Sequence, residues 1–436
     1  MRVLPDGTLF VGGTILSDKK IKVLTISDHP LLPSGVGTQT KYVIEALLKS
    51  GKFQVISLGG AVEHPSYEPT KVEGYGEDWV IFPVKGYGTQ QEVRRFMLQF
   101  KPDILYFMTD PRFYEWLWHM EDEIRENVPM VYYHVWDNYP YPTFNQSKYN
   151  SNDKIVTISK VTSDIVQTVS PNVDEQYIPH AVDLNIFKRR FSQEDRDIIS
   201  NIRKQYNMEN KVVFFWNNRN ARRKQSGTLI FWFKEFLDEV GHDKATLLMH
   251  TDLDDPHGQP LGVIAEHLGL RDGQIGFSIN KMSPQDLSML YNLADCTINI
   301  SDAEGFGLAT LESLSCETPI VVSMTGGLQE QVTNGTDWFG VGIEPTSKSV
   351  IGSQQVPWIY EDRISKEDFI NSLKKIYDLS SEDRQKLGKA GRKHVEENYN
   401  FSDFGNKWVQ CMLNVYEQHG SWENRKNHTK WRFKKL

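Results

Sequence analysis

Ile21-Lys-Val-Leu-Thr-Ile-Ser27 is a short run of apolar and β-branched residues, and His29–Thr38 follows it with Pro30, Pro33, Gly35 and Gly37. The first run has the length and composition of a strand buried on both faces. Past the glycines, Tyr42–Leu48 has helical spacing and stops near Gly51. Strand, glycine loop and helix make the opening of a βα unit. The pattern repeats. Strands are expected at Gln54–Leu58, Trp79–Val84, Ile104–Met108, Met130–His134 and Lys154–Ile158, with helices at Gln90–Gln99, Phe113–Glu126 and Val161–Val169. Such alternation predicts a parallel sheet with helices on both faces.

Around Asp183–Gln205 the pattern breaks, and Phe187–Asp197 is highly charged without strand periodicity. An interdomain linker is placed here. A second series then begins, with strands expected at Val212–Trp216, Ala245–Met249, Cys296–Ile300 and Pro319–Ser323. Its helices are expected at Gly227–Val240, Leu261–Leu268, Pro284–Leu293, Leu308–Ser315, Lys366–Leu379 and Glu382–Asn398. Phe404, Trp408, Cys411, Met412 and Val415 form a last helical stripe. The division is an extension over 1–20, a first domain over 21–190, a second over 205–398, and a closing helix with a basic tail over 399–436. A chain of 436 residues suits two such cores. A ligand belongs in the cleft between them, at the carboxyl ends of the strands.

Bulk properties exclude several classes. A net charge of -8 does not advertise nucleic acid or an anionic membrane. Cys296, Cys316 and Cys411 have no close spacing, so neither a disulfide framework nor a cysteine zinc site is indicated. No apolar run approaches a membrane span, and Met1–Ser17 lacks the basic-then-apolar pattern of a signal peptide. A cytoplasmic location is expected. The segment Arg425–Lys435 interleaves six basic residues with Trp431 and Phe433. That pattern suits weak contact with a membrane surface or an acidic partner, although a solvated tail is the plainer reading and the one we favour.

The chemistry concentrates in Ser301-Asp-Ala-Glu-Gly-Phe-Gly-Leu-Ala-Thr-Leu-Glu312, where seven residues separate Glu304 from Glu312. Gly305 and Gly307 flank Phe306 between an expected strand and helix. Glycines admit close backbone approach, and the first amides of a helix attract an anion. Two carboxylates can accept bonds from sugar and ribose hydroxyls. Asn217-Asn-Arg219-Asn-Ala-Arg-Arg-Lys224 supplies cations after another strand. Fixed cations stabilise a departing diphosphate. A solvated basic turn is the ordinary alternative.

The run Glu304-Gly-Phe-Gly-Leu-x-x-Leu-Glu312-Ser-x-x-Cys316-x-Thr-Pro319 closely resembles the signature of retaining GT-B glycosyltransferases, glycosyltransferase family four in particular. Met282–Asp295, Gly326-Gly327-Leu-x-Glu330, Ile178–Asp183 and Gly35-Val-Gly37 resemble further family segments in the same order. The resemblance spans roughly residues 21–415. It implies an α/β fold of two Rossmann-like doubly wound domains facing a central cleft, with a carboxyl-terminal helix crossing back to the first. It implies a nucleoside-diphosphate sugar as donor, a hydroxyl-bearing acceptor, and no metal or other cofactor. It places Arg219 and Lys224 on the diphosphate, Glu312 on the ribose, Glu304 on the donor sugar, and the amides of Phe306, Gly307 and Leu308 beside the sugar and distal phosphate. Arg222 and Arg223 receive no role.

In the first domain, His134 ends an expected strand in Tyr133-His-Val-Trp-Asp137. The family often has a histidine there on a sugar hydroxyl, whereas a lone histidine is more often a satisfied core residue. Gly35, Val36 and Gly37 are expected to turn backbone amides toward the diphosphate or acceptor. Asp252, Asp254, Asp255 and His257 could ligate a cation, but a solvated acidic loop is favoured. Trp136, Tyr139, Tyr141 and Phe144 suit either stacking on acceptor sugars or packing around Pro140 and Pro142. Glu344–Asp362 is longer than the family's connection and reads as an insertion at the cleft rim. A same-fold phosphorylase or epimerase, a nucleotide-sugar-binding module and a glucosyltransferase acting on DNA bases are the rival readings.

Overall fold

Two parallel sheets organise the chain. The computed structural model describes residues 19–429, preceded by the backbone of three short antiparallel strands, β1 (Arg2–Val3), β2 (Leu9–Val11) and β3 (Thr14–Ile15). The first large sheet contains β4 (Ile21–Asp28), β5 (Phe53–Gly60), β6 (Thr70–Lys71), β7 (Trp79–Pro83), β8 (Ile104–Met108), β9 (Met130–His134), β10 (Lys154–Thr157) and β11 (Glu175–Tyr177). Their spatial order is β11-β10-β9-β8-β4-β5-β7-β6, parallel throughout except at β6. Helices α1 (Gly35–Lys49), α2 (Gln90–Phe100), α3 (Glu115–Trp118), α4 (Glu121–Arg125), α5 (Gln146–Asn150) and α6 (Lys160–Val169) connect them. Alternate strand residues face opposite layers. Val23, Val55, Tyr106 and Tyr133 enter one core, while Leu24, Ile56, Phe107 and Tyr132 enter the other.

The second domain starts with α7 (Gln193–Gln205) and continues with β12 (Val212–Asn217), α8 (Ser226–Val240), β13 (Ala245–His250), α9 (Leu261–His267), β14 (Ile275–Ser278) and α10 (Pro284–Leu293). It is completed by β15 (Cys296–Asn299), α11 (Leu308–Ser315), β16 (Ile320–Ser323), α12 (Leu328–Val332) and β17 (Gly340–Ile343). The all-parallel strand order is β14-β13-β12-β15-β16-β17. Both sheets therefore have the doubly wound order, reversing between β4 and β8 in the first and between β12 and β15 in the second. Loops diverge at these points and leave a crevice.

The linker region differs from expectation. The end of its charged stretch, from Gln193, opens α7, capped by Ser192, and Arg203 of this helix donates to Asp295 Oδ2 at 2.9 Å. This helix packs on the second domain. The insertion forms a hairpin, β18 (Ser347–Ile351) with β19 (Ile359–Arg363). Helices α13 (Lys366–Asp378), α14 (Ser381–Asn398) and α15 (Phe401–His419) follow. Ser365, Ser380 and Asn400 cap them by accepting the amide protons of Asp368, Asp383 and Asp403.

The last helix crosses back to the first domain, as expected. Phe401 meets Tyr42 of α1 with ring centroids 4.5 Å apart, and Trp408 lies edge-on to Tyr133 at 4.8 Å and Tyr106 at 5.6 Å. Arg425, expected in a solvated tail, is instead buried. It pairs with Asp153 at 2.8 Å and donates to the Arg125 carbonyl at 2.7 Å. Lys426 donates to the Glu417 carbonyl at 3.1 Å, and the basic residues from Lys430 to Lys435 lie outside the described residues. Trp408 is fully buried, so Trp408→Ala should lower stability by about 3–5 kcal/mol, measured by chemical denaturation.

Candidate functional site

Both charged motifs emerge at the switch point of the second sheet. The turn after β12 contains a 3-10 segment, Arg222–Lys224, closed by Gln225 in the left-handed conformation. Buried Asn220 anchors it, donating to the Gln259 carbonyl at 2.7 Å and accepting from Ser226 Oγ at 2.7 Å. The loop after β15 runs from Ile300 to Gly307. The two loops are stitched together, because the Asp302 amide donates to the Arg223 carbonyl at 2.8 Å and the Arg223 guanidinium donates to the Ala303 carbonyl.

This stitching brings Lys224 against Glu304. Their ammonium and carboxylate form an ion pair, and Asn299 Nδ2 approaches the same oxygen at 3.4 Å. Burial pushes the Lys224 ammonium below its usual range, with Glu304 opposing the shift. Burial also opposes ionisation of Glu304, but Lys224 and Arg223 together hold its carboxyl below the ordinary value. Arg223 is thus the second cation of the cluster, although the motif reading left it unassigned. Arg219 is outside this cluster's ion pairs: at an exposed position, it donates to Asp255 Oδ2 at 2.6 Å and contacts His257 Nδ1 at 2.8 Å. The same contacts engage Asp255, and among the described residues no group of three or more His, Cys, Asp or Glu is placed to hold a metal ion.

Gly307 has φ +93° and turns the chain into α11. A Cβ there would meet Leu328 and Thr310, which is why the position takes glycine. The amides of Gly307, Leu308 and Ala309 have no acceptor among the described residues. Gly326 brings a second loop beneath the first, where a Cβ would overlap the Glu304 carbonyl. Gly327 completes this contact by donating to the Glu304 carbonyl at 3.0 Å. The Phe306 side chain is buried between His180 and Tyr399, with centroids 5.0 and 5.7 Å away.

Glu312 lies within α11. It accepts from the Tyr291 hydroxyl at 2.7 Å, and Asn217 donates to that same hydroxyl at 2.8 Å. Both orienting groups lie in the quoted motifs but received no role from the sequence. Burial raises the Glu312 carboxyl to about 7, and the Tyr291 hydrogen bond opposes the rise.

The first domain closes over these loops. A Cβ on Gly35 would stand 3.4 Å from Leu308, and one on Gly305 would stand 3.2 Å from the Val135 carbonyl. Gly35, Val36 and Gly37 are not in a free loop. They form the first turn of α1, and the Gly37 amide is taken by the Ser34 hydroxyl at 2.9 Å.

His134 is the main correction. Strand alternation points it to the same layer as Tyr132, where it is fully buried and bonded through Nε2 to the Tyr149 hydroxyl at 2.8 Å. Desolvation lowers its pKa to about 3. It does not reach the cleft. Asp137, three residues on, does: its Cβ would lie 3.4 Å from one on Gly326. Its carboxyl is raised to about 6 by burial, against the pull of Arg223, and Glu304 raises it further.

The aromatic segment packs instead of lining an open platform. Trp136 and Phe144 meet at 5.8 Å, while the Tyr139 and Tyr141 hydroxyls share Asp164. The hairpin spans the rim. Tyr360 donates its amide to the Tyr139 carbonyl at 2.6 Å and accepts from Asn138 Nδ2 at 2.9 Å, and Trp358 meets Phe144 at 5.0 Å. On its other side, Glu361 pairs with Arg222, and Arg363 reaches Asp302 at 3.1 Å.

Known proteins agree with this architecture. Residues 195–394 match the family described as Glycosyl transferases group 1. D-inositol 3-phosphate glycosyltransferase of Acidothermus cellulolyticus is 40% identical over 75 residues, which span 17% of this chain and 16% of that protein. Sucrose-phosphate synthase from Thermosynechococcus elongatus superposes with a TM-score of 0.70 at 15% identity, covering 91% of this chain and all (100%) of the other. Anabaena Alr3699/HepE in complex with UDP-glucose superposes at 0.66 with 16% identity, covering 90% and 100%. These structures establish the shared two-domain GT-B fold. Among the described residues, no helix is long and apolar enough to cross a membrane.

The raised Glu312 carboxyl has a measurable signature. Its neutral form is favoured by the fold, so its stabilising contribution is complete below about pH 4.5 and is lost as pH rises through about 7. Glu312→Gln should therefore gain melting temperature over the unchanged protein at pH 8, with the gain vanishing near pH 4.5. Parallel thermal melts across that range measure it.

Proposed function

We propose that the protein is a retaining glycosyltransferase of family four, moving a sugar from a nucleoside-diphosphate donor to a hydroxyl acceptor without a metal. The observation that carries this reading is the buried Lys224–Glu304 pair, joined by Arg223 and set beside the free amides that open α11. Cations and amides at one point suit a diphosphate whose charge grows as the glycosidic bond breaks. Glu304 is placed to accept from donor-sugar hydroxyls once the diphosphate shares Lys224. Glu312, oriented by Tyr291, is placed to accept from the ribose.

The donor rests on the second domain and the acceptor on the first. Neither glutamate has to move a proton, since the departing phosphate oxygen takes the acceptor's proton as the new bond forms. Exclusion of water by the closed cleft limits donor hydrolysis. Uridine diphosphate is the first nucleotide to test, because the HepE neighbour binds UDP-glucose.

A thermal-shift screen with UDP, GDP, ADP and their sugars in EDTA tests the reading. One nucleoside diphosphate should raise the melting temperature, reflecting about 2.7 kcal/mol at a hundred times its dissociation constant. Arg223→Ala and Lys224→Ala should each abolish that shift, while Arg219→Ala should keep it. Equal shifts in all three variants would remove the proposed diphosphate site.

A further inference from the structure

We propose that Asp137 is a catalytic residue on the acceptor side, where its carboxylate accepts the hydrogen bond of the attacking hydroxyl and aims that oxygen at the anomeric carbon. The inference rests on the transfer reading above and names a group that neither the motifs nor the family resemblance singled out.

Position is the first argument. Asp137 follows β9 and leans on both glycine loops of the second domain. Its Oδ2 lies 4.0 Å from where a Cβ on Gly305 would stand. Three charged groups of the second domain act on it across the cleft, Arg223, Glu304 and Lys224. From its own domain, Asp110 and Arg112 act on it from the segment after β8. Asp137 is the first-domain carboxylate set against the loop that carries the proposed donor cluster.

Satisfaction is the second. The Asp137 side chain is half-buried, and among the described residues none donates a hydrogen bond to its carboxylate. By contrast, Glu304, Glu312, Glu330 and Asp302 all accept side-chain or backbone donors. A half-buried carboxylate without a donor is costly to keep ionised, and an incoming donor relieves that cost. The raised carboxyl agrees with this. An anionic diphosphate is repelled by Asp137 and drawn to Arg223 and Lys224, so the matching ligand group is a neutral hydroxyl.

The hairpin supplies the third. It grips Asn138 and Tyr139, the two residues after Asp137, through both polar groups of the Tyr360 backbone. The loop carrying the carboxylate is thereby held in place from above.

In the step, the acceptor oxygen forms its bond to the anomeric carbon while the bond from that carbon to the phosphate oxygen breaks. The acceptor proton, hydrogen-bonded to Asp137 before the reaction, turns to the departing phosphate oxygen and passes to it as the two bonds exchange, so Asp137 aims the hydroxyl and stays ionised throughout. The active form therefore requires the Asp137 carboxylate, and transfer should rise with pH through about 6.

The test compares Asp137→Asn with the unchanged protein. Water serves as acceptor, and UDP release from UDP-glucose, or from the nucleotide sugar chosen by the melting screen, is followed between pH 5 and 8. The variant should turn over about 10- to 100-fold more slowly, the loss expected for one hydrogen bond to a charged group. Its rate should no longer rise through about pH 6. Affinity for the nucleotide and the nucleotide sugar should be unchanged. Its melting temperature at pH 8 should equal or exceed that of the unchanged protein, because the substitution removes a destabilised charge. A variant that keeps both the rate and the pH rise overturns the inference while leaving the transfer reading intact. So does one that binds nucleotide normally but loses affinity for the nucleotide sugar, since Asp137 would then hold the donor. An unchanged protein that binds no nucleoside diphosphate overturns both.

Discussion

An ammonium and a carboxylate buried against each other at the end of a parallel sheet are expensive to maintain. Each ion gives up its hydration, and removing either partner of such a pair typically costs about 3–5 kcal/mol. Lys224 and Glu304 meet this condition, and much of the local backbone is arranged to support them. Asn220 pins the turn that carries the lysine, Asn299 approaches the glutamate, and Gly326 lets a second loop pass beneath its carbonyl. A folding advantage alone does not account for such an arrangement, because apolar residues fill similar volumes at lower cost. Under the proposed function, a ligand that shares the charges accounts for it.

Much of this was legible in the chain because it is local. A strand end followed by glycines and a helix start is written in consecutive residues, so the Ser301–Glu312 segment could be placed before any coordinates. Directions were less legible. The segment Tyr133–Asp137 was recognised, but strand alternation sends His134 into the core beside Tyr149 and leaves Asp137 at the cleft. Four basic residues share the turn after β12, and a 3-10 segment with a left-handed exit decides which of them meets Glu304. Spacing does not encode that geometry. Two short strands, β14 with one glycine and β17 with two, have a diluted apolar signal, and α7 was hidden by its charge.

The interface between the domains is made of specific polar contacts as well as apolar packing. Glu330, part of a glycine motif expected near the ligand, accepts from the Lys160 amide at 2.7 Å and the Tyr177 hydroxyl at 2.5 Å. It is an interdomain tie. The hairpin is another, linking the turn of Arg222 to the loop of Asp137 through one pair of strands. The two domains are thus tied to one another by a segment that touches both.

The crossing of α15 has a consequence for how the molecule comes into being. Trp408 closes the core beside Tyr106 and Tyr133, and Ser421 and Arg425 occupy Asp103 and Asp153 of the first domain. During synthesis, domains generally fold as units in the order in which they leave the ribosome. Here the amino-terminal unit is translated first yet lacks one wall until the final stretch has been released. The nascent chain must therefore carry an incompletely covered sheet through the whole production of its partner, and the earlier-made half is the later one to be finished.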